Sequence, residues 1–503
     1  MSATAHESWV ALMEDGQLVE MMLDRADQGR LLGDIYLGKV EAVLPGIQAA
    51  FVDIGTDKAG FLHVSDLEMG DDDDENGGGG GERNRRNRKY PPIQDHIRKG
   101  QEIIVQVTKE PISTKGPRLT AEISLPGRFL VYMPGSSRVG VSRKIEDREE
   151  RSRLRKLAKG VLPKDKGGII VRTVSEELNQ ETFEKDFKRL SAKWLKILKK
   201  REGAKAPSPL HGEAKLISGV IRDLFSNRFE SITVNDKGIY HEILQYVKSV
   251  APELKDRVRL YTGSESLFDK YGVEEEFQDT LQKKANLRSG GYIIIEPTEA
   301  LVSIDVNTGR YKGKKNPEST ILKTNLEATQ EIARQLRLRD IGGIIVCDFI
   351  DMESQQNRDK VLNELRTHLG RDRARTKAFE VSSLGLVEMT RQRVRPSLFQ
   401  TLTEECDHCQ GTGRVYTPAT VVRQIERSIR RVSVKGDEKK LLIRMHPEVA
   451  LRIMEEEPDF IRELGQVTKL ELDMRDDPLL RADEFRILSG SAQTDVTSRY
   501  VAA

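Results

Sequence analysis

Apolar and polar positions alternate in short runs between residues 34 and 64, "DIYLGKVEAVL", "AAFVDIG" and "GFLHV", separated by "PGIQ" and "TDKA"; "EIIVQV" at 102–107 resumes the pattern. Short alternating runs broken by Gly and Pro predict antiparallel strands that close a small β-barrel. From 128 to 200 the charge density rises. There "SRKIEDREERSRLRKLAKG" and "KRLSAKWLKILKKREGAKAP" read as helices with basic faces, and the strand-like "GGIIVRTVSEE" lies between them. "REGAKAPSPLHG" marks a boundary, after which residues 216–262 alternate a helix with the short strands "ESITVND" and "VRLYTG". Next, "GGYIIIEPTEALVSIDV" is two apolar runs joined by a turn. A helix is predicted over about 319–339, where Leu322, Leu326, Thr329, Ile332, Ala333 and Leu336 recur at helical spacing. "GGIIVCDFIDM" then reads as a strand covered on both faces. Strand, helix and strand in succession predict an α/β layer, and the tail reads as a small α+β domain.

Inside the barrel pattern sits "MGDDDDENGGGGGERNRRNRKYPP", which has too little apolar surface to offset its ordering entropy and reads as an inserted disordered loop. Its Arg83, Arg85, Arg86 and Arg88 read as a solvated tract, with phosphate contact the alternative. The whole chain, at 503 residues, is too long for one core, so several domains are expected. A composition of 37% hydrophobic, 32% charged and 5% aromatic residues belongs to a globular protein with aliphatic cores. Lys+Arg at 82 against Asp+Glu at 80 leaves a polyanion site to be built from local clusters. The first residues lack a secretory signal pattern and no apolar run reaches membrane-spanning length. Three cysteines make no disulfide framework, so a reducing compartment, the cytoplasm, is expected.

The candidate chemistry begins at "ALVSIDVNTG", residues 300–309. In a strand Ser303, Asp305 and Asn307 share one face while Val302, Ile304 and Val306 share the other. Asp348, set among Ile, Val and Phe in "IIVCDFIDM", reads as a carboxylate that needs a counter-ion or hydrogen bonds. Two aspartates at the ends of adjacent strands suit a divalent cation such as Mg²⁺. Arg310, Lys312, Lys314 and Lys315 would draw a polyanion towards it, a combination suited to phosphodiester hydrolysis. An ordinary salt bridge between one Asp and an Arg at the sheet edge fits the same spacing. "CDHCQGTG" carries Cys406 and Cys409, half of a structural Zn²⁺ ligand set. His408, inside the turn, is a poor third ligand, and Cys347 reads as a packed core thiol. A redox disulfide remains the alternative, although the flanking helix of a thioredoxin-type motif is absent.

"TEALVSIDVNTGR", "NLEATQEIARQLRLRDIGGIIVCDFIDM", "EMTRQR" and "CDHCQGTG", in this order and downstream of the barrel, resemble the ribonuclease E/G family of bacterial endoribonucleases over nearly the whole chain. The N-terminal stretch and the absence of any long disordered C-terminal region resemble the family's shorter members, so its degradosome scaffold and membrane-targeting tail are expected to be missing.

The resemblance implies a multidomain α/β and α+β architecture. Residues 1–35 and 216–281 would form an RNase H-like subdomain, and 36–124 an S1-like OB barrel carrying the insertion at 69–92. Residues 125–215 would be a 5′-sensor region, 282–403 a DNase I-like catalytic subdomain, 404–415 a zinc-link and 416–503 a small C-terminal domain. Asp305 and Asp348 would bind one Mg²⁺, with Asn307 beside the scissile phosphate. Cleavage of single-stranded RNA would leave 5′-phosphate and 3′-hydroxyl ends. Phe51, Phe61, Lys115 and Arg375 would contact RNA. Arg172 and Thr173, supported by Arg143, Gly127 and Val131, would sense a 5′-monophosphate. Cys406 and Cys409 would share one Zn²⁺ with a second chain, giving a homodimer or homotetramer acting in rRNA processing and mRNA decay. Two departures stand out: the long insertion, and "YKGKKNPEST" after Arg310, which differs from the enterobacterial pattern. The competing functions are a non-catalytic RNA-binding or ribosome-maturation factor and a metal-dependent DNA nuclease. The joint presence of Asp305, Asn307 and Asp348 favours the enzyme over the first, and comparing RNA with DNA cleavage separates the second.

Overall fold

The computed structural model describes residues 1–4, 6–25, 31–67, 91–111, 116–142, 145, 147–163, 167–176, 178–212, 216–225, 228–309, 317–382, 384–436 and 438–501. Nearly all of the acidic and Arg-rich insertion therefore lies outside the described residues, as do Lys115, Arg143, Arg310, Lys312, Lys314 and Lys315. The chain divides into two units, 1–397 and 398–503.

In the first unit a hairpin, β1 (Glu7–Glu14) and β2 (Gln17–Arg25), turns at Asp15 and Gly16, both at positive φ. The alternating stretch becomes β3 (Ile35–Leu44), β4 (Ala49–Asp53), β5 (Gly60–His63), β6 (Glu102–Lys109) and β7 (Arg118–Thr120). These pair in the order β3-β4-β5-β7-β6, and β6 returns to β3, closing a five-stranded barrel around Val40, Ala50, Val52, Leu62, Val105 and Leu119.

A second sheet joins β8 (Leu125–Pro126), β9 (Leu130–Met133), β10 (Val139–Val141) and β11 (Gly168–Val171). Two helices cover it. α1 (Arg148–Val161) is capped by the Asp147 carboxylate, which accepts from Glu149 N, and α2 (Gln180–Glu202) by Asn179, which accepts from Thr182 N. Their buried Leu154, Ala158, Phe183 and Leu190 fill the core against Leu130, Ile169 and Val171.

β12 (Ser208–His211) adds to the barrel beside β3. Beyond it lie α3 (Leu216–Asp223), β13 (Ile232–Val234), α4 (Lys237–Val250) and β14 (Val258–Leu260). Val10 and Met22 of the N-terminal hairpin share a buried cluster with Ile221, Phe225, Val234 and Val247, so two segments separated by the barrel pack as one body.

The last sheet of this unit is built from β15 (Lys284–Asn286), β16 (Tyr292–Pro297), β17 (Leu301–Asn307), β18 (Gly343–Asp348), β19 (Thr376–Val381) and β20 (Leu386–Arg391), in the order β15-β16-β17-β18-β20-β19. β17 and β18 run parallel and the other pairs antiparallel. The crossover between the parallel pair is α5 (Pro317–Leu338), the helix expected over 319–339; α6 (Gln355–Leu369) follows β18. Ala328, Ile332 and Leu336 of α5 and Val361 and Leu365 of α6 pack on Ile304, Ile345 and Cys347. Each aliphatic side chain so buried contributes about 1.5–3 kcal/mol of transfer free energy. One expectation is corrected here. Residues 343–348 are covered on one face only, with Ile345 and Cys347 fully buried but Ile344 53% exposed, because both helices lie on the same side of the sheet. Three β-branched residues in a row had masked the alternation.

The second unit packs α7 (Pro418–Lys435), α8 (Pro447–Glu456) and α9 (Phe460–Thr468) with β21 (Lys440–Met445), β22 (Glu471–Asp476), β23 (Phe485–Ser489) and β24 (Thr494–Asp495). Its sheet order is β22-β21-β23-β24, around Ile425, Ile429, Ile443, Met445 and Ile487. Among the described residues no helix is long and apolar enough to cross a membrane.

Candidate functional site

Parallel pairing places Asp305 directly opposite Asp348, in a register running from Leu301↔Ile344 to Asp305↔Asp348. Adjacent strands lie about 4.8 Å apart, and side chains at paired positions emerge on the same face. That face is the one α5 and α6 leave open. Buried Ile304 and Val306 anchor β17 from below, while Ser303, Asp305 and Asn307 stand on the open side. The Asn307 side-chain amide donates to the Asp305 carboxylate at 2.8 Å, so one oxygen of Asp305 is oriented by its neighbour two residues on. The strand ends in the turn at Gly309, φ 58°, where a Cβ would lie 2.5 Å from Gly290 O.

Asp348 differs from the sequence expectation in one respect. It is not buried among Ile, Val and Phe but exposed, because it is the last residue of β18 and points to the open face. Partial desolvation, then the neighbouring charges of Asp305 and Asp351, push its carboxyl above its ordinary value. Carboxylates that repel one another at the end of two strands form a donor set for a cation. Among the described residues no group of three His, Cys, Asp or Glu is placed to hold a metal ion.

Two further residues shape this edge and had no sequence signal. Asp351 is the third carboxylate acting on Asp348. Asn325, fully buried in α5, donates from Nδ2 to Ile350 O (2.8 Å) and accepts from Ile350 N (3.1 Å), pinning the backbone between Asp348 and Asp351.

A second cluster surrounds Arg172. Gly127 N donates to Leu130 O (2.7 Å), closing a two-residue loop of Arg128 and Phe129 between β8 and β9. Arg172 brackets that loop: its backbone N donates to Phe129 O (2.9 Å) and its Nη1 to Gly127 O (2.6 Å). Nη1 also meets Asp223 Oδ1 at 2.7 Å. Burial opposes ionisation of Asp223, yet Arg222 and then Arg172 hold its carboxyl below its ordinary value. Asp186 fastens the loop by accepting from Phe129 N and Leu130 N. A Cβ at Gly127 would lie 2.6 Å from that carboxylate, so glycine is required there. Thr173, exposed, opens the turn after Arg172, and Val131 pairs with Ile170 across the sheet.

On the barrel, Phe51 and Phe61 are cross-strand partners whose rings meet edge to face at 6.1 Å. Neither is core: Phe51 is 36% exposed and Phe61 half-buried. Arg375 is exposed, but the structure does not bring it to Asp305 and Asp348. Thr376 pairs with Arg391, which pairs with Gly343, at the opposite end of β18 and about 16 Å along the strand.

In the second unit Cys406 and Cys409 are free thiols, and backbone hydrogen bonds from Cys409 and His408 lower the thiol pKa of Cys406. That turn precedes the first long helix of the unit, α7. Cys347 is fully buried, its thiol pushed up to about 12 by desolvation.

Residues 124–394 match the Ribonuclease E/G family, 32–121 the S1 RNA binding domain, and 405–490 the RNase E/G thioredoxin-like domain. The chain is 42% identical over 457 residues to "Ribonuclease G" of Haemophilus influenzae, covering 91% of this chain and 92% of that protein. It is 40% identical over 488 residues to "Ribonuclease G" of Escherichia coli, covering 97% and 98%. Against "Ribonuclease E" of Synechocystis sp. it is 38% identical over 419 residues, covering 82% of this chain and 59% of that protein.

Proposed function

Because the chain belongs to the ribonuclease E/G family and is accordingly an endoribonuclease, we propose that it cleaves single-stranded RNA in a Mg²⁺-dependent reaction centred on Asp305 and Asp348. The products would carry 5′-phosphate and 3′-hydroxyl ends. The observation that carries this reading is the pairing of the two aspartates, side by side on the open face of a parallel strand pair. Asp305 and Asp348 would hold the Mg²⁺, which would supply charge neutralisation at the phosphoryl oxygens and a more acidic water near neutral pH.

The chain's own residues do the rest. Asn307 fixes the orientation of Asp305, and Asn325 fixes the segment carrying Asp348 and Asp351. Phe51 and Phe61 offer ring faces on which unpaired bases stack. Arg172 and Thr173 receive the 5′ end, and a terminal monophosphate is preferred because it offers more charge and more free oxygens than an internal diester. Cys406 and Cys409 donate two thiolates to a Zn²⁺ completed by a second chain, since structural zinc takes four ligands. In the cell we assign the enzyme to rRNA processing and mRNA decay in the cytoplasm.

The test is incubation of the pure protein with matched oligoribonucleotides bearing 5′-monophosphate or 5′-hydroxyl, and with the corresponding DNA, in Mg²⁺ and in EDTA. Internal cleavage of RNA only, only with metal, and faster on the monophosphate is expected. Equal cleavage in EDTA would remove the metal site, and equal rates on both 5′ ends would remove the sensor.

A further inference from the structure

We propose that Arg128 is a second guanidinium of the 5′-end pocket and a determinant of its selectivity for a terminal phosphate; the inference rests on the sensor reading of Arg172. Arg128 occupies the loop whose two flanking carbonyls, Gly127 O and Phe129 O, are the ones Arg172 holds. It is only 5% exposed, yet among the described residues its Nε and Nη1 have no hydrogen-bond partner. The acidic and polar groups facing it are Tyr246, Glu253 and Asp186, with Arg172 the like charge among its neighbours. Asp186 is committed to Phe129 N, Leu130 N and Arg189, and neither Glu253 nor Tyr246 reaches Nε or Nη1.

A buried cation with idle donors beside a second cation is an arrangement that folding alone disfavours, because unmade hydrogen bonds to charged groups are costly and apolar replacements pack as well. Its idle donors are those an anion would use. Charge balance points the same way. Arg172 and Arg222 share the single carboxylate of Asp223, which leaves that trio with one positive charge. A terminal phosphate carries roughly 1.5 to 2 negative charges at neutral pH. Arg128, whose Nε and Nη1 no described carboxylate reaches, brings a further guanidinium to the one loop position Arg172 already brackets. A 5′-hydroxyl end brings no anion and leaves Arg128 Nε and Nη1 as they are now, with the guanidinium over the Phe129 ring at 5.4 Å, so the interaction discriminates between ends.

The experiment compares Arg128→Met, Arg128→Lys, Arg172→Ala and the parent on single-stranded oligoribonucleotides that differ only in a 5′-monophosphate or a 5′-hydroxyl, with thermal melting of each variant. In Arg128→Met the ratio of kcat/KM between the two ends falls roughly tenfold or more, the worth of a charged hydrogen bond, through a higher KM on the monophosphate arm. Melting does not drop, because an apolar chain of similar length replaces a cation with idle donors. Arg128→Lys keeps part of the ratio. If Arg172→Ala collapses the ratio while Arg128→Met keeps the parental value, Arg128 is a packing residue and the proposal is overturned. It is overturned equally if both Arg128 variants lose activity to the same extent on the two substrates or melt well below the parent. A parental ratio in Arg172→Ala would instead overturn the sensor reading, and the role of Arg128 with it.

Discussion

Holding Asp305 and Asp348 side by side carries a cost in the metal-free protein. The Asp348 carboxyl is raised above its ordinary value by desolvation and by the charges of Asp305 and Asp351. The folded state therefore holds that proton to higher pH than the unfolded chain does. Stability from this group is fully present below the unfolded carboxyl's range and is lost as pH rises through the folded value. In EDTA, Asp348→Asn should thus melt above the parent at neutral pH and by a smaller margin in acid. The parent should gain melting temperature on addition of Mg²⁺, as any ligand of the native state produces. The variant should gain little and should cleave nothing while still binding RNA. Parental cleavage by Asp348→Asn, or an unchanged Mg²⁺-induced shift, would remove Asp348 from the metal site. Alternation in "LVSIDVN" was enough to put Asp305 and Asn307 on one face. Asp351, Asp223 and Asn325 escaped because their meaning lies in contacts with distant segments, such as the carbonyl and amide of Ile350 that Asn325 holds across 25 positions.

Elements fix where such residues act. Asn325 sits in α5, otherwise a core-forming helix, and its two hydrogen bonds to Ile350 couple the helix to the strand end that carries Asp348. Asn325→Leu keeps the volume but leaves the Ile350 carbonyl and amide without their Asn325 partner, a loss of about 1–3 kcal/mol for each group. The expected result is a lower kcat with KM for RNA near the parental value, because the barrel that binds RNA is untouched. An unchanged kcat would show that α5 does not position the metal edge. On the barrel, β4 and β5 set Phe51 and Phe61 side by side, and a stacked base is worth about 1–3 kcal/mol. Phe51→Ala should therefore weaken equilibrium binding of single-stranded RNA by about 5- to 150-fold with little loss of stability, since the ring lies outside the barrel core. Loss of folding without a specific loss of binding would return Phe51 to a packing role. The barrel and α5 were legible because period-2 and period-3.6 patterns survive in them. β18 was misread for the opposite reason: aliphatic residues on both its faces hide which one the helices cover.

At the scale of the molecule, two bodies far apart in sequence, the N-terminal hairpin and residues 216–258, share one core around the barrel insertion, a pairing that no local pattern encodes. In the proposed reading the second unit carries half of a zinc ligand set. Its Cys406 and Cys409 offer two thiolates in one turn, Cys406 made more acidic by backbone hydrogen bonds from Cys409 and His408, and no third ligand joins them among the described residues. Half a tetrahedral set on each chain would be completed where two chains meet. Purified protein should therefore contain close to one zinc per two chains and run as a dimer or a dimer of dimers in light scattering. Cys406→Ser with Cys409→Ser should lose the zinc and dissociate towards monomer. Because the thiolate is the ligand, lowering the pH should release zinc from the parent, and a strong chelator should do the same at neutral pH. A monomer carrying one zinc per chain, or an oligomer that survives loss of both thiols, would show that the chain completes its metal site without a partner.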